Sequence, residues 1–232
     1  MIDREAVYSP AQSVRILKEA DGAKFDETVE VHMNLGLNVR HAEEQLRGTL
    51  MLPHGTGKEQ RVAVFAEGEK ARDAQEAGAD VVGTADLAKQ IEEGFDEFDV
   101  AIATPDQMSV VGKLGRILGP RGKMPNPKTG TVTMDVGKAV REAKAGKLEY
   151  RTDRGANVHV TIGKKSFDER QLIENYAALV DEILRAKPAA AKGRYIKAVT
   201  LTSTMGPGIH VDPARMRGII EELEESQEAV PA

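Results

Sequence analysis

The chain has no cysteine and no tryptophan, and only four tyrosines, five phenylalanines and five histidines among its 232 residues. Without cysteine there is no disulfide framework, no thiolate nucleophile and no thiolate-ligated zinc. His32, His41, His54, His159 and His210 are scattered and never spaced as HxH or HxxxH, so no metal site is expected from them. No apolar run reaches membrane-spanning length and no cationic-then-apolar leader opens the chain, so a soluble protein of the cell interior with no membrane partner is expected. So few aromatics also leave little material for the base-stacking platforms of common single-strand RNA modules.

Nucleotide and catalytic fingerprints are missing as well. A P-loop needs a glycine five residues before its Gly-Lys pair, but Gly57-Lys58 has Leu52 there and Gly163-Lys164 has Val158. Where a dinucleotide site would carry G-x-G-x-x-G, the chain has Phe65-Ala66-Glu67-Gly68-Glu69-Lys70, whose carboxylates would repel a pyrophosphate. Gly-x-Ser-x-Gly is absent, Ser109 and Ser203 have no histidine close in sequence, and Glu92-Glu93 and Asp96-Glu97 read as solvated surface. No cofactor and no catalytic residue are expected.

What the chain does have is segregated charge. Its net charge is −5, yet from Gly55 to Val110 it carries 5 cations against 13 anions, and from Val111 to Leu148 it carries 9 against 2. Within the basic stretch, residues 118–130 pack three prolines, three glycines and three cations into one irregular segment. With Lys113 and Arg116 upstream, Arg121, Lys123 and Lys128 form a basic surface suited to a polyanion, the plainer reading being a solvated loop.

Periodicity separates two kinds of layer. Ser9-Pro10 reads as an N-cap and first-turn proline, opening a helix that Gly22 closes. From Lys24 the period becomes two, with Phe25, Val29, Val31, Met33 and Leu35 on one side and Lys24, Asp26, Thr28, Glu30, His32 and Asn34 on the other. Alternation returns at Ala156–Ile162 and at Val199–Thr204, around a helix that Ser166-x-x-Glu169 opens as a capping box and Pro188 follows. A last helix is expected from Asp212-Pro213 through Leu223. The middle differs: Val62–Ala66, Val81-Val82 and Phe98–Ala103 are short apolar runs, each followed by a helical pattern, which describes a parallel sheet covered on both faces.

The expected fold class is therefore α/β with two domains. An open-faced antiparallel α+β domain is built from both chain ends, 1–55 and 149–232, and a Rossmann-like three-layer α/β domain is inserted at 56–148. The crossings, near Gly55 and Gly57 and near Arg151, form a double-stranded hinge. Thr200, Thr202, Thr204, Thr28, Glu30, Lys24, Asn157 and His159 line the open face, where short hydroxyls suit ribose and phosphate on a folded RNA. The plainer reading is that threonine is a good strand residue.

Gly115-Arg116-Ile117-Leu118-Gly119-Pro120-Arg121-Gly122, running into Met124-Pro125-Asn126-Pro127-Lys128-Thr129-Gly130, resembles the signature of the large-subunit ribosomal protein L-one family. Three further stretches match it in order: Lys24 to Val31, Arg47-Gly48-Thr49 followed by Leu52 to Lys58, and Thr204-Met205-Gly206-Pro207. The resemblance implies the same two-domain body, with the main site for 23S ribosomal RNA on the domain made from both ends and no cofactor on the inserted one. It carries RNA contacts onto Lys24, Phe25, Thr28, Glu30, Arg154, Thr204, Met205 and Gly206, beside Thr202 on the open face, with Lys113, Arg116, Arg121, Lys123 and Lys128 as a weaker second surface. It also implies residence in the large ribosomal subunit in the cytoplasm, contact with deacylated tRNA at the exit site, repression of its own operon's mRNA, and a monomer outside the ribosome. Compared with bacterial members the chain has almost none of the basic stretch before the first helix, and Ala198 stands where some carry serine. The alternative from another class is a Rossmann-type enzyme acting on a phosphorylated small molecule, with the basic loop as phosphate clamp.

Overall fold

Ser9 caps the first helix, α1 (Pro10–Glu19), reciprocally: its hydroxyl accepts the Gln12 N–H at 3.3 Å while the Gln12 side chain accepts the Ser9 N–H at 3.2 Å. In this computed structural model the described residues are Asp3 and 6–215. They divide into two compact units, one containing the chain up to Gly57 and again from Leu148, the other Lys58–Lys147.

In chain order the first unit contributes α1, β1 (Thr28–Leu35) and β2 (Arg47–Met51). The second holds β3 (Val62–Phe65), α2 (Glu69–Glu76), β4 (Val81–Gly83), α3 (Ala85–Glu92), β5 (Val100–Ala103), α4 (Met108–Val111), α5 (Gly115–Leu118) and α6 (Val136–Lys144). The chain returns through β6 (Lys147–Arg151), β7 (Asn157–Lys164), α7 (Glu169–Arg185), β8 (Ile196–Ser203) and β9 (Ile209–Val211).

The first unit is a four-stranded antiparallel sheet in the order β7-β1-β8-β9, with β2 and β6 pairing separately. Strict alternation along β1 sends Val29, Val31, Met33 and Leu35 into the core, where α1 and α7 cover them with Val14, Leu17, Leu172, Tyr176 and Ile183. Each such aliphatic side chain contributes about 1.5–3 kcal/mol by leaving water. The residues between them are left on the uncovered side, and there the candidate interface lies.

The second unit is the parallel sheet β4-β3-β5 with a core on each face. Ala63 and Phe65 of β3 point to one side, packing with Leu87, Ile91, Val111, Leu114 and Leu118 of α3, α4 and the turns that follow. Val62 and Val64 point to the other, packing with Ala74 of α2 and Val136, Val140 and Ala143 of α6. The three apolar runs in the middle of the sequence are thus three strands, of which β3 and most of β5 are buried on both faces while β4 is half-buried at an edge.

Four local expectations are corrected. The first helix ends at Glu19, where Ala20 turns extended, three residues before Gly22. The first strand begins at Thr28, not Lys24, because Glu27 accepts the Ala23 N–H and Asp26 accepts both the N–H and hydroxyl of Ser166, fixing residues 23–27 as a loop. Phe25 is consequently 56% exposed instead of facing the core. That engagement of Ser166 also moves the cap of α7 to Asp168, whose N–H is taken by the Gln171 side chain at 3.0 Å. The helix expected beyond Asp212-Pro213 lies outside the described residues after Arg215.

Candidate nucleic-acid interface

The uncovered face of the first unit is assembled by register. Glu30 of β1 stands between Thr161 of β7 and Thr202 of β8, and His32 stands between His159 and Thr200. Asn34 donates to the Asn157 side chain at 2.7 Å, and Thr200 meets His210 of β9 at 3.3 Å. The strand positions therefore show hydroxyls, amides, imidazoles and one carboxylate to solvent, and no six-membered aromatic ring. Such a surface reads backbone and shape better than it stacks bases.

At one end of that face two loops meet on a buried carboxylate. Glu27 is 1% exposed and accepts the N–H groups of Ala23 at 2.6 Å and of Met205 at 2.9 Å. The Met205 and Ala23 backbone bonds, then Ser203 and the Lys165 charge, hold its carboxyl at about 2. Beside it the Thr28 N–H donates to Thr204 Oγ1 at 3.0 Å, the Thr204 N–H returns to the Thr28 carbonyl at 3.1 Å, and Lys164 Nζ donates to Thr28 Oγ1 at 2.8 Å. What this junction pushes outward is Lys24, Phe25 and Met205, the last 72% exposed. A flexible thioether and a phenyl ring held out from a polar sheet edge are suited to contact with base or sugar faces.

This arrangement changes the expected roles of several residues. The Thr204 hydroxyl is engaged with the Thr28 backbone, the Thr28 hydroxyl accepts from Lys164, and Thr202 Oγ1 donates to the Ser203 carbonyl at 3.1 Å, so these threonines set the loop's shape. Gly206 packs against Ser203: a Cβ there would lie 2.3 Å from Ser203 Oγ, so a larger residue would displace that hydroxyl. Glu27 escaped the sequence reading although its signal was present, since it is a carboxylate at the inward position between Phe25 and Val29.

Arg154 is exposed in the turn before β7, away from the Glu27 junction. It lines an open cleft of about 1040 Å³ together with Arg40, Arg47, Arg151, Glu149, Asp153 and His159. Arg47 pairs with Glu149 at 2.6 Å, whereas the side chains of Arg40, Arg151 and Arg154 have no partner among the described residues. The cleft continues the open face through His159. Sequence reasoning missed Arg40 because its neighbours Glu43 and Glu44 make that stretch look neutral.

The proposed hinge residues sit differently from one another. Gly55 and Gly57 have φ of 63° and 70°, the left-handed region, and a Cβ on Gly57 would come within 2.9 Å of Phe167. The buried side chain of Asn175 accepts the His54 N–H at 3.0 Å and donates to the carbonyls of Gly55 at 3.0 Å and Ile162 at 2.7 Å. These glycines supply a shape that Asn175 clamps. Arg151 ends β6 inside the first unit.

In the second unit Lys113, Arg116, Arg121 and Lys128 are exposed. Lys123 is turned back: its Nζ lies 2.6 Å from both Asp96 Oδ1 and the Phe98 carbonyl and 4.9 Å from the Phe98 ring centroid. Arg121 shares Asp96 at 3.0 Å, and the two cations hold that carboxyl below the usual range. The basic surface is thus centred on Lys113, Arg116 and Lys128. Among the described residues no group of three or more histidine or acidic side chains could hold a metal ion, and no helix is long and apolar enough to cross a membrane.

Comparison with known proteins identifies the family. The chain is 64% identical over 214 residues to the large ribosomal subunit protein uL1 of Rubrobacter xylanophilus, covering 92% of this chain and 93% of the relative. It is 62% identical over 216 residues to the protein of the same name from Thermobifida fusca, with 93% and 92% covered. A third relative of that name, from Frankia alni, is 58% identical over 221 residues, with 95% and 93% covered. The profile described as the Ribosomal protein L1p/L10e family matches residues 17–207, and with these relatives it shows that the chain belongs to that family, one of ribosomal proteins and not of enzymes.

Proposed function

We propose that this protein is a constituent of the large ribosomal subunit that binds the mobile stalk of 23S ribosomal RNA through the open face of its first unit. The observation that carries the reading is the Glu27 junction, which sacrifices a buried carboxylate to hold Phe25 and Met205 out beside Lys24 at the end of an uncovered polar sheet. Thr28, Thr202, Thr204 and Gly206 shape that end, Glu30 accepts from ribose hydroxyls or base amino groups, and Arg154 with its cleft takes phosphates. Lys113, Arg116 and Lys128 on the second unit add salt-sensitive phosphate contacts.

Family membership and the resemblance support two further roles for the same surfaces: contact with deacylated tRNA at the exit site, and repression of the protein's own mRNA where the message imitates the ribosomal site. The two crossings, at Gly57–Lys58 and Lys147–Leu148, allow the units to move as separate bodies. Solution scattering of the free protein should then need more than one interdomain arrangement, and a fit by one rigid form would count against the hinge.

The test of the main reading is a filter-binding titration against a transcript of the stalk segment and an unrelated structured RNA of equal length, with co-sedimentation on large subunits. Preference for the stalk transcript by a factor of 10³ or more at physiological salt is expected. Equal affinity for both RNAs would sink it.

A further inference from the structure

His32 on β1 and His159 on β7 are directly paired in the sheet register, with Nδ1 to Nδ1 at 2.9 Å and ring centroids 5.0 Å apart. Only one proton fits between those two atoms, so one ring donates and the other accepts. The outer nitrogens each meet a carboxylate, His32 Nε2 at 3.7 Å from Glu30 and His159 Nε2 at 3.5 Å from Asp153. Carboxylate, imidazole, imidazole and carboxylate therefore form one chain across two strands of the open face.

Counting protons gives the chain two accessible states. With both rings neutral, the accepting ring's Nε2–H faces its own carboxylate, while the donating ring's Nε2 points a lone pair at the other. A third proton at that vacant nitrogen makes one imidazolium and changes the chain's charge from −2 to −1. A fourth would set two N–H groups head to head across 2.9 Å, which that contact forbids.

The surroundings bear on which state is filled. Burial first, then the charge of His159, push His32 below the ordinary histidine value, and Glu30 pulls it back up. Flanking strand residues Thr161, Thr200 and Thr202 are uncharged, and His210 lies beyond Thr200. Arg154, Arg151, Arg40 and the Arg47–Glu149 pair line the cleft on the His159 side, and Lys164 is engaged by Thr28. Burial and the neighbouring ring thus set His32 against the third proton in the unliganded protein, and Glu30 faces the space where the RNA backbone must come.

Resting on the open-face reading above, we propose that the Glu30–His32–His159–Asp153 chain takes up one proton when RNA docks, the new imidazolium N–H donating to the carboxylate it faces and offsetting that charge against the approaching phosphate. The RNA's negative charge supplies the differential interaction that raises the chain's proton affinity, so by linkage a fall in pH tightens binding.

The test is the dissociation constant for the stalk transcript between pH 8 and pH 6, with isothermal titration at one pH in buffers of different ionisation enthalpy. Affinity should strengthen by up to tenfold per pH unit, and calorimetry on the intact protein should count about one proton taken up. His32→Gln and His159→Gln should each flatten the profile. A pH-independent intact protein, zero proton uptake, or a slope surviving in both variants would overturn the proposal. Met205→Asp separates the two readings: weakened binding with a flat pH profile removes the proton chain and keeps the face, while specific binding indifferent to Met205→Asp removes the face.

Discussion

Met205→Asp is the most direct perturbation of the interface, because its cost to the fold and its cost to binding separate cleanly. Met205 is 72% exposed and its backbone N–H, not its side chain, is what Glu27 holds, so thermal stability should stay within about 0.5 kcal/mol of the original. Against RNA the aspartate adds a charge. One phosphate about 6 Å away at an effective dielectric of about 20–40 gives roughly 1.4–2.8 kcal/mol of repulsion, reduced by salt, and losing the thioether's apolar contact adds about 1 kcal/mol. The expected loss is about 2–3 kcal/mol, or roughly 30- to 150-fold in the dissociation constant. Thr204→Val is the control of opposite kind. It removes the hydroxyl that accepts the Thr28 N–H at 3.0 Å but keeps the backbone bond at 3.1 Å, so it should lower stability by about 0.5–1.5 kcal/mol and weaken binding less than Met205→Asp does. Filter binding beside thermal denaturation reads both quantities. If Met205→Asp binds the stalk transcript as tightly as the unmodified protein, the Glu27 junction is not part of the site.

Glu27→Gln should reduce RNA affinity although residue 27 is buried, since it frees Phe25 and Met205 to move, and binding equal to the original would refute that organising role. Glu27 has its folded carboxyl at about 2, below the ordinary 4.5, so its contribution to stability is present above 4.5 and lost as pH falls from there toward 2; denaturation midpoints across that window should fall less steeply in the glutamine variant. Asn175→Ala leaves the His54 N–H and the Gly55 and Ile162 carbonyls without their partner and should destabilise the first unit by about 3 kcal/mol in urea unfolding, a cost under 1 kcal/mol counting against the clamp. Arg154→Gln and Arg151→Gln should each lower the slope of log affinity against log salt by about one where the arginine neutralises a phosphate, whereas Lys123→Gln, already paired with Asp96, should leave the slope nearly unchanged.

The layers were readable from periodicity because periodicity is what burial imposes. Alternation along Val29–Leu35 and the unbroken runs at Val62 and Val100 each report how many faces of a strand are covered, and those strands form where the pattern places them. Strands β2 and β6 were not legible, since Arg47–Met51 and Lys147–Arg151 carry one buried residue each, Leu50 and Tyr150, and mix charge with apolar residues on both sides. Ends of elements failed for a different reason. Ser166 and Asp26 are 140 positions apart, and their bond bears on both where β1 begins and which residue caps α7. No local pattern contains that information.

The same distinction governs charge. Counted along the chain, the stretch after Val111 is the basic one and the open-face unit is nearly neutral, which would place RNA on the second unit. In the folded protein the accounting changes, because cations are withdrawn in pairs: Lys123 and Arg121 onto Asp96, Lys144 onto Asp80, Lys147 onto Glu142. On the open face the anions are withdrawn instead. Glu27 is buried under backbone N–H groups, Asp153 is occupied by the Gly155 and Asn157 backbone, and Glu149 is held by Arg47, while Arg40, Arg151 and Arg154 keep their charge outward. An acidic protein can therefore present a cationic, hydroxyl-rich surface without a basic sequence run. Glu30 is the exception left facing outward, and its position beside the His32–His159 pair is where proton uptake on binding would count most.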